Sequence, residues 1–254
     1  MDTRSHETVV SDQFSPRAEA YLASPVHAAG EDLVDLARIV GERPDAVALD
    51  LGCGGGHAAY AIAPLVKSVV AYDLSEAMIA TVAAEAARRG LANLETRQGA
   101  AERLPWPDAS FDIVLSRFSA HHWRDIAGGL REARRMLKPG GLAVFIDVVA
   151  PASPLVDTWL QTLELLRDVS HVRDYSLAQW RASLSEAGLA PLDVVAYRLP
   201  IEFSSWIQRI GTPDVQVQAI HALRRVAADE VVRHLEIKAD GSFTLDTALI
   251  TAHG

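Results

Sequence analysis

Cysteine is almost absent: one residue, Cys53, stands in a chain of 254. A lone thiol excludes an internal disulfide framework and a zinc site built from several cysteines. Long apolar runs are missing as well. No stretch approaches the roughly 18 residues that a membrane span needs, and MDTRSHETVVSDQ, the first 13 residues, has no basic region followed by an apolar core. These absences lead to the expectation of a cytoplasmic protein with no membrane insertion. Basic charge is also short, with 24 Lys and Arg against 33 Asp and Glu and a formal net charge of −9. Binding to a phosphate backbone draws on clustered cations, and the pairs Arg88-Arg89, Arg134-Arg135 and Arg224-Arg225 each read as one solvated helix face. No nucleic-acid partner is expected. Repeats and low-complexity tracts are lacking too. What remains is 49% hydrophobic, enough at this length to bury a sizeable core, and a single domain over 1–254 is expected.

Residues 46–147 alternate short apolar runs with longer helical stretches. Strands are expected over 46–51, 68–72, 94–98, 111–115 and 142–148, the last opened by a turn at Lys138-Pro139-Gly140-Gly141. Helices are expected over 56–65, 75–89 and 125–137, with Ser75 as an N-cap and Gly90 as a C-cap. Alternation of this kind implies a parallel sheet covered on both faces. After residue 150, Leu155, Trp159, Leu163 and Leu166 recur at helical spacing, a second helix covers 176–187, and strands are expected over 192–199 and 243–252. The late strands suit an antiparallel addition at the sheet edge.

The stretch VALDLGCGGGHAAYAIAPL, residues 47–65, is a strand that ends in glycines and opens a helix. Such a turn brings backbone N–H groups close to a ligand, so nucleotide-like ligands are the first suspects. A phosphate-binding loop fails because no lysine follows the glycines, and a dinucleotide site stays open but poorly supported because His57 and Ala59 stand where a third glycine would be. A turn that merely packs helix on strand stays open. VVAYDLS then ends a strand in Asp73, where a carboxylate can accept two hydrogen bonds from ribose hydroxyls or cap the next helix.

Asp50-Leu51-Gly52-Cys53-Gly54-Gly55-Gly56 resembles the first motif of class I S-adenosylmethionine (SAM) methyltransferases, apolar-x-Asp-x-Gly-x-Gly-x-Gly. Asp73 resembles the second motif. QGAAERLPWPDASFDIVLS and LKPGGLAVFIDV resemble the later motifs of the branch containing ubiquinone and menaquinone C-methyltransferases, and the whole chain is similar to uncharacterised bacterial members. The resemblance implies an α/β, Rossmann-like, seven-stranded mixed sheet in the order 3-2-1-4-5-7-6, with helices on both faces and a helical elaboration over the substrate. It implies SAM as cofactor and S-adenosylhomocysteine as product. The implied cofactor contacts are Tyr21, Asp50, Gly52, Cys53, Gly54, Gly56, Asp73, Leu74, Met78, Ala101, Glu102, Ser116 and Phe118. One departure is noted: the branch commonly has aspartate after Gly99, and this chain has Ala100. By the same analogy 1–45 forms N-terminal lid helices, with Tyr21 and His27 as lid or packing residues, 46–150 the cofactor core, and 151–254 the substrate-covering helices and last two strands.

Methyl transfer from a sulfonium needs alignment more than a fixed catalytic group. A base matters only if the nucleophile arrives protonated. In SRFSAHHWRD, residues 116–125, His121 or His122 could serve as that base or position substrate; otherwise one caps a helix and the other is exposed. No metal is expected, since two adjacent histidines lack further ligands. A substrate pocket is expected from Trp159, Phe203, Trp206 and Ile210 as apolar lining, with His171, Arg173, Tyr175 and Arg209 as polar groups, Trp206 and Ile210 serving equally as core. The expected protein is a small-molecule methyltransferase, monomer or homodimer, whose acceptor is aromatic or quinone-like. Rival readings are a protein-directed methyltransferase, a SAM-binding protein without transfer, and a nicotinamide oxidoreductase.

Overall fold

The structure, a computed structural model, describes residues 3–254. Seven strands form one sheet: β1 (Arg43–Leu51), β2 (Val66–Asp73), β3 (Leu94–Gln98), β4 (Phe111–Arg117), β5 (Leu137–Val148), β6 (Ala190–Ile201) and β7 (Phe243–His253). Their order is β3-β2-β1-β4-β5-β7-β6. The first five run parallel, and β7 lies antiparallel between β5 and β6. This is the sheet the sequence implied. The helices are α1 (His6–Phe14), α2 (Ala18–Leu22), α3 (Pro25–Ala28), α4 (Glu31–Val40), α5 (His57–Ile62), α6 (Glu76–Arg88), α7 (Ile126–Met136), α8 (Pro154–Arg167), α9 (Leu177–Glu186), α10 (Phe203–Ile210), α11 (Asp214–Arg224) and α12 (Asp229–His234).

Period-two alternation assigns the two faces of the sheet. Leu49, Leu51, Val114, Phe145 and Ile250 pack on one side against Leu130, Ala133 and Met136 of α7 and Trp180 and Leu184 of α9. Ala48, Val69, Ile113, Val144 and Leu249 pack on the other against Leu33, Leu36 and Val40 of α4, with Ala59 and Ile62 of α5 and Val82 of α6. Each large apolar side chain so buried contributes about 1.5–3 kcal/mol. Near-continuous apolar strands are the signature of a sheet buried on both faces. A third core joins Val156, Leu160 and Leu163 of α8 to Trp206, Ile220 and Val231, over Val148, Ile201 and Leu245 at the ends of three strands.

Local signals act where the sequence placed them. Ser75 Oγ accepts from Met78 N at 3.2 Å, capping α6. At the other end Gly90 N donates to Ala87 O and Leu91 N to Ala86 O, a Schellman closure that the left-handed Gly90 permits. The turn expected at 138–141 is instead an irregularity inside β5. Leu137 pairs Phe111 and Leu142 pairs Ile113, so the extra residues bulge from the ladder while Gly140 takes φ 73°.

The N-terminal segment is bound to the sheet by charge. Arg117, at the end of β4, donates through Nε to Asp32 Oδ2 and through Nη1 to the His27 carbonyl at 2.9 Å. The two side chains of this pair are only 5% and 10% exposed. Asp32→Ala leaves the guanidinium buried without its counter-ion and is expected to lower stability by about 3–5 kcal/mol. Urea denaturation followed by tryptophan fluorescence checks this, and a loss below about 1 kcal/mol would show that the pair is not buried in solution.

Candidate active site

Three alternate glycines shape the turn after β1, with φ of 72° at Gly52, 49° at Gly54 and 80° at Gly56. Left-handed backbone of this kind favours glycine. A Cβ on Gly52 would stand 1.9 Å from Ser119 Oγ, and one on Gly56 would stand 2.7 Å from the Tyr60 ring. Gly54 differs: no protein atom lies within 4 Å of where its Cβ would be. The turn is tied to β2, because Gly52 N and Cys53 N both donate to the Tyr72 carbonyl, at 2.8 and 3.0 Å.

Asp73 completes that attachment. Its Oδ2 accepts from Gly54 N at 2.8 Å and its Oδ1 from Ser75 N at 2.9 Å. Burial raises its pKa against these hydrogen bonds. Asp50 Oδ2 accepts from Ala59 N at 3.0 Å at the start of α5, while Oδ1 is buried with no partner. Burial pushes Asp50 up to about 7. Burial also holds the Cys53 thiol well above its usual pKa, with the Asp73 and Asp50 carboxylates adding to it, so the thiol stays protonated.

An open cleft of about 1020 Å³ lies over this turn. Tyr21, Gly52, Cys53, Gly54, Asp73, Leu74, Met78, Ala101, Glu102 and Phe118 line it, as the sequence expected. Asp50, Gly56 and Ser116 sit behind its wall, Ser116 being 2% exposed with an unpartnered Oγ. The N-terminal helix expected over the cofactor, α1, brings Phe14 to the rim, and with it His6, Glu7 and Val10, which sequence reasoning did not single out. That reasoning also passed over Ser119 and Trp123, which follow β4. The DQF and HHW stretches held that signal, since their aromatics follow or precede the sheet's ligand-facing ends.

A second cavity of about 560 Å³ abuts the first, and both are lined by Phe14, Tyr21, His27, Phe118 and His122. Phe118 holds φ 51°, uncommon for a bulky residue, with its N–H on the Ile146 carbonyl at 2.8 Å. Of the expected pocket residues, Trp206 and Arg209 line this cavity. Trp159, His171, Arg173 and Phe203 do not. Trp159 packs half-buried on the α8 core, and Phe203 lies under Arg224 and beside His221. Arg173 pairs with Asp157 at 2.7 Å, and His171 Nε2 meets Gln161 Oε1 at 3.0 Å. Ile210 is core against Tyr21 and Met78, and Tyr175 packs against Trp180. The expected few polar groups are also a correction: His121, Glu164, Arg167, Asp174 and Arg209 all face the cavity, opposite Val148, Leu199, Ile201 and Leu245. Among the described residues no cluster of metal-binding side chains occurs.

The two histidines differ sharply. His121 Nδ1 pairs with Asp147 Oδ1 at 2.5 Å. Burial works against its charged form, yet the charge and hydrogen bond of Asp147 prevail, helped by Asp174 and Glu164, and raise His121 to about 9. It therefore holds its proton at neutral pH. His122 is held to about 4 by burial and by the neighbouring His121 charge, 4.2 Å away between ring centroids. Its Nδ1 lies 3.2 Å from the Ser170 carbonyl, and Phe14 stacks edge-on at 4.9 Å.

The sequence pattern of the Methyltransferase domain family matches residues 49–145, from β1 through β5. Over 218 residues the chain is 40% identical to the uncharacterized methyltransferase YcgJ of Bacillus subtilis, covering 85% of this chain and 86% of that one. The chain belongs to this methyltransferase family. The methyltransferase uses SAM as its cofactor. It is also 46% identical over 202 residues to the uncharacterized protein YafE of Escherichia coli, covering 80% of itself and 98% of that protein. The crystal structure of YcgJ superposes with a TM-score of 0.85 at 36% identity, over 88% of this chain and 97% of that one. A demethylmenaquinone methyltransferase of Chlorobaculum parvum shares 36% identity over 120 residues, 47% of each chain.

In this methyltransferase the His121–Asp147 pair has a pH signature. His121 is raised from its ordinary 6.5 to about 9. The stability it contributes is therefore full below about pH 6.5 and is lost as pH rises through about 9. Melting-temperature profiles of wild type and Asp147→Asn should differ most near pH 6 and converge towards pH 9.5. A gap that does not vary with pH would mean that His121 is neutral throughout.

Proposed function

We propose that the cleft over the glycine turn seats SAM and that the adjoining cavity seats a small-molecule methyl acceptor. The observation that carries this reading is the shared wall, since five side chains line both spaces. A displacement needs donor and acceptor atoms in one line across such a boundary, and holding them there supplies most of the rate. The residues present fit the donor. Gly54 leaves bare backbone facing the cleft, and Asp50 Oδ1 is a spare acceptor beneath the turn for a cationic group. Asp73, fixed by two backbone N–H groups, has lone pairs left for ribose hydroxyls. Leu74 and Met78 offer apolar surface to the adenine, and Ala101 and Glu102 border it where Ala100 replaces the family's aspartate. When bound, SAM supplies an activated methyl group and leaves as the neutral thioether S-adenosylhomocysteine.

The chain's own part is to align, to exclude water and to set charge. Residues 3–45 act as a lid, a reading supported by the α1 side chains on the cleft rim; residues 1 and 2 of the expected 1–45 lid lie outside the described residues. Residues 46–150 act as the cofactor core and 151–254 cover the acceptor. His122, neutral and bordering both spaces, positions the acceptor and takes a proton if one must leave. His121 presents fixed positive charge instead of acting as the base. The second cavity's largely side-chain lining between α8, α10 and the strand ends favours a small acceptor over a protein segment. Its charged lining narrows the quinone-like or aromatic class to acceptors that also carry polar groups. No helix among the described residues is long and apolar enough to cross a membrane. With a formal charge of −9, the methyltransferase acts without nucleic acid, in the cytoplasm, as a monomer or homodimer.

Isothermal titration with SAM, S-adenosylhomocysteine and NAD tests the cofactor site. Micromolar binding of the two sulfur ligands and none of NAD is expected. Asp73→Ala should weaken S-adenosylhomocysteine by about a hundredfold, the value of two hydrogen bonds to a charged acceptor. Gly54→Val, which puts carbon into the open face, should abolish binding, and a fold check by circular dichroism accompanies both. Unchanged affinity in both variants would place the cofactor elsewhere, and an acceptor screen with methyl-labelled SAM would separate transfer from binding alone.

A further inference from the structure

The second cavity contains one cation without a counter-ion. Arg167 has Glu164 Oε2 at 3.6 Å, and His121 has Asp147. Arg209 has no carboxylate within 4 Å among the described residues. Its Nη1 donates to Ser24 Oγ at 2.7 Å and lies 3.4 Å from His27 Nδ1. Its Nε is buried with no partner, and Nη2 makes no hydrogen bond to the protein among the described residues. The Nε–Nη2 edge, the fork that receives a carboxylate through two parallel hydrogen bonds, is therefore unused. Burial and the nearby Arg167 both work against its charge, but a guanidinium cannot shed its proton to escape.

The acidic groups of the same cavity are already engaged or disfavoured as carboxylates. Glu164 lies against Arg167, whose charge opposes the upward push of burial, and burial holds Asp174 well above its usual range. Asp174 Oδ2 also lacks a hydrogen-bond partner, and Asp168 lies behind His122 at 3.9 Å. An amine would face the Arg209, Arg167 and His121 cations. An anion meets a cation already in place. The strand residues Val148, Leu199, Ile201 and Leu245 supply an apolar wall to the same cavity.

Building on the reading of this cavity as the acceptor site, we propose that the acceptor is an amphipathic organic acid whose carboxylate is seated by Arg209. Its apolar body lies against the β5, β6 and β7 side chains. Arg209 is then the residue that selects acids over their neutral counterparts.

The test uses the full chain with and without saturating S-adenosylhomocysteine, and titrates octanoate, phenylacetate, their amides and octylamine. The acids should bind, with the amides and the amine weaker by about tenfold or more. Arg209→Met should reduce acid affinity by at least about tenfold while S-adenosylhomocysteine still binds, and Arg209→Lys should recover part of the loss because it keeps the charge without the fork. Equal binding of acids and amides, preference for octylamine, acid binding indifferent to Arg209→Met, or no acid binding to wild type in either state would overturn the proposal. Failure of S-adenosylhomocysteine to bind wild type would instead overturn the cofactor reading, and the acid titrations without it still decide the role of Arg209. If Arg209→Met does not fold, the comparison of acid with amide in wild type and Arg209→Lys carries the decision.

Discussion

One carboxylate holds the two halves of the cofactor cleft together. Asp73 accepts a proton-bearing nitrogen from the turn after β1 and another from the start of α6, so two parallel strands end in one fixed geometry. Tyr72 and Asp73 accept from Gly52 N and Gly54 N and the Cys53 carbonyl from Gly56 N, while Ser119 and Tyr60 fill the space that side chains at Gly52 and Gly56 would need. From that fixed edge follow the open face at Gly54, the cap on α6 and the position of β4's exit at Phe118. The neighbouring strands make this affordable: a sheet covered on both faces by apolar helices bears the cost of buried carboxylates at its ends.

The second cavity follows a different logic. It lies where the parallel core gives way to the antiparallel β6 and β7, and its floor is the ends of those strands with α8 and α10 over them. Charge is concentrated there under cover. Each ion has its own surroundings: Asp147 for His121, Glu164 for Arg167, burial that raises Asp174, and for Arg209 the Ser24 hydroxyl, the His27 ring nitrogen and the Tyr21 face in place of a carboxylate. The result is an asymmetric chamber, apolar on the strand side and polar on the helix side. That asymmetry matches an acceptor with two unlike ends.

Most of the fold was legible in the sequence because its central strands are buried. Runs such as VALDL and IVLS carry their own signal, and 94–98 coincides with β3. The misses lie where burial is weak or topology intervenes. The exposed start of β1 at Arg43 has no apolar signature, and Gly140 reads as a turn although the pairings of Leu137 with Phe111 and Leu142 with Ile113 on either side keep it within a strand. The cofactor cleft was legible because its chemistry is local, a glycine turn and one carboxylate at fixed spacing. The second cavity was legible only in part, through Trp206 and Arg209. Glu164 and Arg167 stand one helical turn apart, a pattern that normally marks a solvated face, and they are buried here because α10 and the N-terminal segment close over them. Trp159 and Phe203 mislead in the opposite sense, as aromatics that the helical core consumes.

Three of the five side chains that line both spaces, Phe14, Tyr21 and His27, come from the segment before α4. Edge-on contacts at 5.2 and 5.1 Å hold them to one another. A molecule on either side therefore touches rings that also face the other side. Any shift of those rings that favours one occupant over an empty site is felt equally in the opposite direction, because a coupling between two binding sites is reciprocal.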